Sequence, residues 1–148
     1  MILGVSHPYL DQQPWATKPR GGTNPSWAWV LASIAFFVAQ YGASGALEAP
    51  LLGHTVASLP AIDVVLSATG TAHWWWFDGT RQGLIMALLT AACGPLVEIA
   101  LINVGHLYDY THPQLWGIPS WIPWVYLCGS AAVGNLGRKL SASMLSNK

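Results

Sequence analysis

Charge is what this sequence has least of. Only 8% of its 148 residues are Asp, Glu, Lys or Arg, whereas soluble domains contain roughly 25%. A soluble fold of this size needs a charged surface that this composition cannot supply, so we interpret the chain as a membrane protein. The six basic residues balance the six acidic ones and form no basic run, which argues against a nucleic-acid-binding protein.

Sequence motifs for catalysis are also missing. The chain has no HExxH, no GxSxG and no phosphate-binding loop, patterns that set a metal, a nucleophile or a phosphate at fixed spacing. His106 and His112 flank Asp109, which is more typical of a polar turn than of a catalytic site. Cys93 and Cys128 lie in apolar stretches and are predicted to be buried thiols, not a disulfide or a metal site. We therefore predict that the protein is not an enzyme.

Apolar residues are abundant instead, at 53% of the chain. They form four stretches, each near the twenty residues with which a helix crosses about 30 Å of hydrocarbon. The stretches run from about Trp27 to Leu47, Ala57 to Phe77, Gly83 to Gly105 and Ile118 to Leu140. We predict an all-α fold, an integral membrane bundle of four transmembrane helices in residues 26–140.

Polar segments flank this membrane domain. The N-terminal arm, residues 1–25, has four prolines and no apolar core of a signal peptide, so we expect an extended surface segment. Such a segment could remain after removal of a targeting sequence. Residues 141–148 form a polar C-terminal tail.

The basic residues support four crossings. In that layout the N-terminus, the loop after the second stretch and the C-terminus share one side of the membrane. All six basic residues fall on that side: Lys18, Arg20, Arg81, Arg138, Lys139 and Lys148. The positive-inside rule then predicts that both termini face the cytosol, or the stroma or matrix of an organelle.

The sequence WWWFDGTRQG, residues 74–83, ends the second stretch and begins the third. Indole rings anchor helix ends where the bilayer meets water, so the aromatic run sets the depth of Asp78 and Arg81 just outside the hydrocarbon. At the membrane surface Asp78 could be recognised by a partner. It could equally cap the next helix, since a carboxylate suits the positive end of a helix dipole.

Glu98 is an acid within the third stretch. Inserting an acid at the centre of a span costs on the order of 2.5 kcal/mol or more, so a side chain, a water-filled cavity or a ligand should compensate. Gln40 and Asn135 are candidate hydrogen-bond partners, and we predict a ligand site formed by these three residues. The alternative is a protonated carboxyl that is hydrogen-bonded within the bundle.

Two stretches carry small residues at four-residue spacing. They are Ala35, Ala39 and Ala43 in the first stretch, and Ser130 and Gly134 in the fourth. Small residues let helix backbones approach closely. These faces could pack within the chain or accept a helix of another membrane protein.

The motifs resemble those of the Insig (insulin-induced gene) family. That family has a WWxFDxSRxG signature, matched by Trp74–Gly83, and a YxYT turn, matched by Tyr108–Thr111. Its last helix carries SWLP and GNIGRQL, matched here by SWIP at residues 120–123 and GNLGRKL at residues 134–140. The first stretch is similar to the family's third helix, so the resemblance covers about residues 26–140 and leaves the family's first two helices without a counterpart.

The resemblance implies a non-enzymatic membrane protein of the endoplasmic reticulum that binds a lipid or sterol and docks a partner membrane protein. Asp78 matches the acid that animal members need for partner binding, and Trp75 and Arg81 lie in the same motif. Gly79 departs from the motif, where the family has Arg, and Glu98 has no counterpart in it.

A different reading is a structural subunit of a large membrane complex, such as a photosystem-antenna assembly in a plastid thylakoid membrane. Such a subunit could bind chlorophyll or a carotenoid, with His73, His106 or Asn103 as candidate pigment ligands. The sequence offers these side chains but no pigment motif.

Overall fold

The computed structural model describes residues 2–48, 50–51, 54–55 and 59–146. Five helices account for most of them: α1 (Ile2–Leu10), α2 (Trp27–Glu48), α3 (Leu59–Phe77), α4 (Arg81–Asn103) and α5 (Ile122–Ser146). Between α2 and α3, β1 (Pro50–Leu51) and β2 (His54–Thr55) form an antiparallel pair. The predicted all-α fold is confirmed. The exception is this short hairpin, in which each strand has two residues.

The four long helices coincide with the four apolar stretches. Their ends differ from the predicted ones by a few residues, and the predicted start of the second stretch lies outside the described residues. Among the described helices, α2 and α4 are long and apolar enough to cross a bilayer. Length and composition therefore support a membrane crossing for two of the four helices. That all four helices cross the membrane stays a prediction.

The N-terminal segment differs from the extended arm that we predicted. Residues 2–10 form α1, with Pro8 inside the helix, and α1 packs against α5. Glycines on α5 permit this contact, because a Cβ at Gly137 would collide with the carbonyl of Gly4 and one at Gly134 with the ring of His7. The prediction of an extended arm was based on the proline content of this segment. It is wrong for residues 2–10 because one proline in a short helix removes only a single backbone hydrogen bond.

Helix α5 is the central element. It packs against α1, α2, α3 and α4, and ten of its residues are buried. It also continues to Ser146, through most of the predicted C-terminal tail, since residues 141–146 contain neither Pro nor Gly. An apolar core lies around its N-terminal end: Ile62, Leu66, Ile102, Ile118, Trp121, Ile122 and Val125. Cys128 is buried as predicted, whereas Cys93 is exposed, and both are free thiols.

Candidate functional site

A buried ion-pair network joins α1, the α3–α4 turn and α5. Arg138 donates from Nη1 to Asp78 Oδ2 at 2.7 Å and from Nε to Asp11 Oδ2 at 2.6 Å. Its Nη2 contacts Asp11 Oδ1 at 3.2 Å and His7 Nδ1 at 3.5 Å. Arg138 is 1% exposed and Asp78 is 0% exposed. Burial, followed by the neighbouring Arg138 charge, lowers the pKa of His7, so this imidazole is neutral at pH 7.

The α3–α4 turn places Asp78 at this network. Gly79 has a φ of +69°, a left-handed conformation that favours glycine. Thr80 caps α4 by accepting a hydrogen bond from the N–H of Gly83, and its own N–H and hydroxyl donate to Asp78 Oδ1. A Cβ at position 83 would collide with the Asp78 carboxylate, so Gly83 leaves room for the buried acid.

The three predicted partner-binding residues are in different environments. Trp75 is 52% exposed and Arg81 is exposed, so both side chains are available at the surface. We had predicted that Asp78 lies at the surface, and this prediction is wrong. Its carboxylate is buried because Arg138 and Thr80 enclose it. A partner whose binding depends on Asp78 would therefore recognise the conformation that Asp78 gives to the turn. It would not contact the carboxylate itself.

Sequence reasoning missed Arg138 and Asp11 as members of this site. Arg138 was assigned to the basic side of the membrane, and Asp11 to an extended arm. Two other basic residues also lie at this end of the bundle: the Arg20 guanidinium is 4.0 Å from the centroid of the Trp75 ring, and Lys139 donates to Asn24. One feature of the sequence could have indicated this ion pair: Arg138 and Asp78 were both predicted to lie at the same end of the bundle.

A second site surrounds Glu98, near the opposite end of the bundle. Its Oε2 accepts a hydrogen bond from the Tyr110 hydroxyl at 2.6 Å, and its Oε1 accepts one from Tyr126 at 2.7 Å. Burial and then the hydrogen bond to Glu98 raise the pKa of Tyr110, so this phenol remains a protonated donor. Gln40 and Asn135 were the predicted partners of Glu98, and this prediction is wrong.

A cavity of about 350 Å³ opens beside Glu98, between α2, α4 and α5. Its polar groups are the Thr90 hydroxyl, the Glu98 carboxylate and three tyrosine hydroxyls, and the rest of its lining is apolar. The lining residues are Phe37, Tyr41, Thr90, Glu98, Tyr110, Ile122, Val125, Tyr126, Gly129 and Val133. This volume lies at the lower end of the range for small-molecule sites.

Gln40 and Asn135 connect helices elsewhere. Gln40 Nε2 donates to the carbonyl of Leu66 at 2.9 Å. Asn135 Nδ2 donates to the Phe77 carbonyl at 3.2 Å and to Ser33 Oγ at 3.3 Å. Both side chains are at most 5% exposed, and their amide oxygens have no hydrogen-bond partner in the described part of the chain. Gln40 lines a shallow groove between α2 and α3 rather than the Glu98 cavity.

None of the candidate pigment ligands lines the Glu98 cavity. His73 is fully buried, stacked on Phe36 and hydrogen-bonded to Ser33. Asn103 donates to the carbonyls of Ile99 and Trp116, and His106 is exposed in the loop after α4. The geometry does not bring these three side chains together.

The two small-residue faces differ in whether another helix of the chain covers them. The α5 face is covered by α1, because Gly134 and Gly137 lie against His7 and Gly4. On α2, Ala35 and Ala39 are exposed. A helix from another protein could therefore approach α2, whereas the α5 face is already occupied within the chain.

Comparisons with known proteins agree with this fold. A family model described as insulin-induced protein (INSIG) matches residues 1–141, so the match begins earlier than residue 26. The insulin-induced gene 1 proteins of Danio rerio and Xenopus tropicalis are 32% and 34% identical over 143 residues, each alignment covering 95% of this chain and 51% of the relative. The chain thus spans about half the length of the curated relatives it matches.

A solved structure is also similar. The crystal structure of MvINS, a mycobacterial Insig homolog from Mycobacterium vanbaalenii, matches with a TM-score of 0.72 and 23% sequence identity. The match covers 95% of this chain and 68% of MvINS. At this identity the likeness supports the fold alone.

Proposed function

Because the chain belongs to the Insig family of membrane proteins, we propose that it is a non-catalytic regulator that binds a lipid or sterol and docks a partner membrane protein. The endoplasmic reticulum is the membrane that this proposal implies. The observation that carries it is the Glu98 cavity, an apolar cleft with a carboxylate and hydroxyl groups near one end.

The cavity has the shape of a site for a membrane amphiphile. On α5 its lining extends from Ile122 to Val133, a separation of eleven positions, which is about 16 Å at 1.5 Å per residue. That length is close to one leaflet, half of a hydrocarbon core of about 30 Å. Glu98 and Tyr110 lie toward the end of the bundle, and Thr90 lies about 12 Å deeper along α4. A polar headgroup at Glu98 with its chain beside Gly129 and Val133 would match this gradient.

Partner docking is supported by the opposite end and by α2. Trp75 and Arg81 are exposed there, beside the rigid turn that Asp78 holds. The exposed small residues of α2 offer a second surface on which a partner helix could pack closely. We propose that a partner contacts these two surfaces, while Asp78 acts by positioning the turn.

Lipid binding can be tested with a photoreactive diacylglycerol or sterol and the purified protein in nanodiscs. The variant is Gly129→Leu, because a Cβ at Gly129 would lie 3.1 Å from the Phe37 ring and a longer side chain would fill the cavity. Gly42→Leu is the matched control, since a Cβ at this position of α2 would face open space. We expect Gly129→Leu to lose labelling and Gly42→Leu to keep it. Equal labelling of both variants would show that the lipid binds elsewhere.

A further inference from the structure

The charge of Glu98 has no counter-charge in the described part of the chain. Glu98 makes no salt bridge there, and its two oxygens accept from neutral phenols. No lysine or arginine among the described residues lies within ion-pair distance of its carboxylate. Three basic residues instead have their partners at the other end: Arg20 lies over Trp75, Arg138 pairs with Asp78, and Lys139 donates to Asn24. Tyrosine hydroxyls hold the carboxylate in place, but as neutral donors they supply no counter-charge to it.

Aromatic residues line the cavity beside this carboxylate. Phe37, Tyr41, Tyr110 and Tyr126 are four of the ten residues that line the cavity. The faces of such rings carry negative electrostatic potential and attract cations, and clusters of aromatic rings recognise ammonium groups. The Glu98 cavity therefore combines a carboxylate with aromatic walls, whereas a neutral headgroup needs only a hydrogen-bond partner.

We infer that the cavity selects an amphiphile with a cationic amine headgroup, primary or quaternary ammonium, over a neutral one of the same chain. The inference rests on the proposed lipid function of this cavity and names its ligand class. The ammonium group would lie at Glu98 between the aromatic rings, and the chain would lie along α5 toward Val133. A hydroxyl and a primary ammonium can both donate a hydrogen bond to a carboxylate, but only the ammonium also supplies a counter-charge, so it gains more at Glu98 than a hydroxyl does.

The test is a competition experiment at neutral pH in uncharged nanodiscs. A photoreactive diacylglycerol labels the cavity, and two competitors share one chain: sphingosine, whose amine is protonated, and N-acetylsphingosine, which is neutral. We expect sphingosine to compete about tenfold better with the wild type. Glu98→Gln keeps the size of the side chain and should remove this preference while N-acetylsphingosine competes as before.

Glu48→Gln is the matched control, because Glu48 is an acid at the same end of the bundle that does not line the cavity. It should retain the preference for sphingosine. Equal competition by both lipids in the wild type would overturn the inference, as would a preference that persists in Glu98→Gln. Those results would leave the lipid site standing. If neither lipid competes and Gly129→Leu labels like the wild type, the proposed lipid site itself fails.

Discussion

Removing either partner of the Arg138–Asp78 pair should destabilise the protein strongly. Both side chains are at most 1% exposed, and breaking a buried ion pair by removing one partner costs about 3–5 kcal/mol. Asp78→Ala leaves Arg138 paired with Asp11 through two contacts of 2.6 and 3.2 Å, so we expect the lower end of that range. Arg138→Met leaves two buried carboxylates unpaired, and we expect the upper end.

The assay is reversible unfolding in mixed micelles, followed by tryptophan fluorescence. Arg81→Met is the control for Arg138→Met, because Arg81 is exposed and surface substitutions usually change stability by less than about 0.5 kcal/mol. Asp78→Ala combined with Arg138→Met closes a double-mutant cycle, which isolates the pairwise coupling. If Arg138→Met unfolds like Arg81→Met, the network does not contribute to stability and the reasoning is wrong.

The same variants separate two roles for Asp78 in partner docking. If Asp78 acts by positioning the α3–α4 turn, Arg138→Met should weaken co-purification of the partner as much as Asp78→Ala does, although Arg138 is buried. If the partner instead contacts Asp78 directly, Asp78→Ala should no longer co-purify with the partner, whereas Arg138→Met should still do so. That second result would contradict the positioning role.

Three further predictions concern single contacts. Gly83→Ala should lower stability by about 1–3 kcal/mol through overpacking against Asp78, whereas Gly42→Ala should be neutral or stabilising; thermal melting distinguishes them. The lowered pKa of His7 means that the unfolded chain binds a proton more readily, so stability should fall as the pH drops below about 6.5; His7→Gln should show a smaller loss between pH 7.5 and 5, and an identical loss would refute this. Asp63→Asn should cost about 1–2 kcal/mol, because Asp63 accepts from Ser120 Oγ at 2.6 Å and from Trp124 Nε1 at 3.1 Å and an amide retains one acceptor oxygen; unchanged unfolding would argue against it.

The sequence predicts the long helices better than the contacts between them. Apolar stretches of about twenty residues are set by local composition, which is why α2 to α5 lie close to the predicted ranges. The Glu98 partners depend on which way side chains point from different elements. Tyr110 comes from a loop and Tyr126 from the first turns of α5, and no local pattern links either to Glu98. Gln40 and Asn135 were chosen because they are polar, yet each serves to join other helices.

The Asp78 environment was missed for a related reason. Asp78 was expected to be exposed because it follows an aromatic anchor, and that inference holds only for an isolated turn. Helix α1 and the C-terminal half of α5 enclose the turn instead. The close packing of α1 on α5 depends on Gly134 and Gly137. The small size of Gly134 was recognised in the sequence, but the helix that packs against it was not.

Among the described residues, charged side chains are paired at one end of the bundle and unpaired at the other, and this difference supports the two roles that we propose for these ends. At the Asp78 end, Arg138 lies between two acids and the hydrogen bonds of Thr80 complete the enclosure, so the buried charges are paired within the chain. At the Glu98 end, this acid is held by hydroxyls beside an open cavity, and no lysine or arginine of the described residues pairs with it. Paired charges favour a single rigid arrangement, which suits a surface that a partner must recognise. An acid without a counter-charge, at the mouth of an apolar cleft, instead favours the entry of a ligand that supplies one.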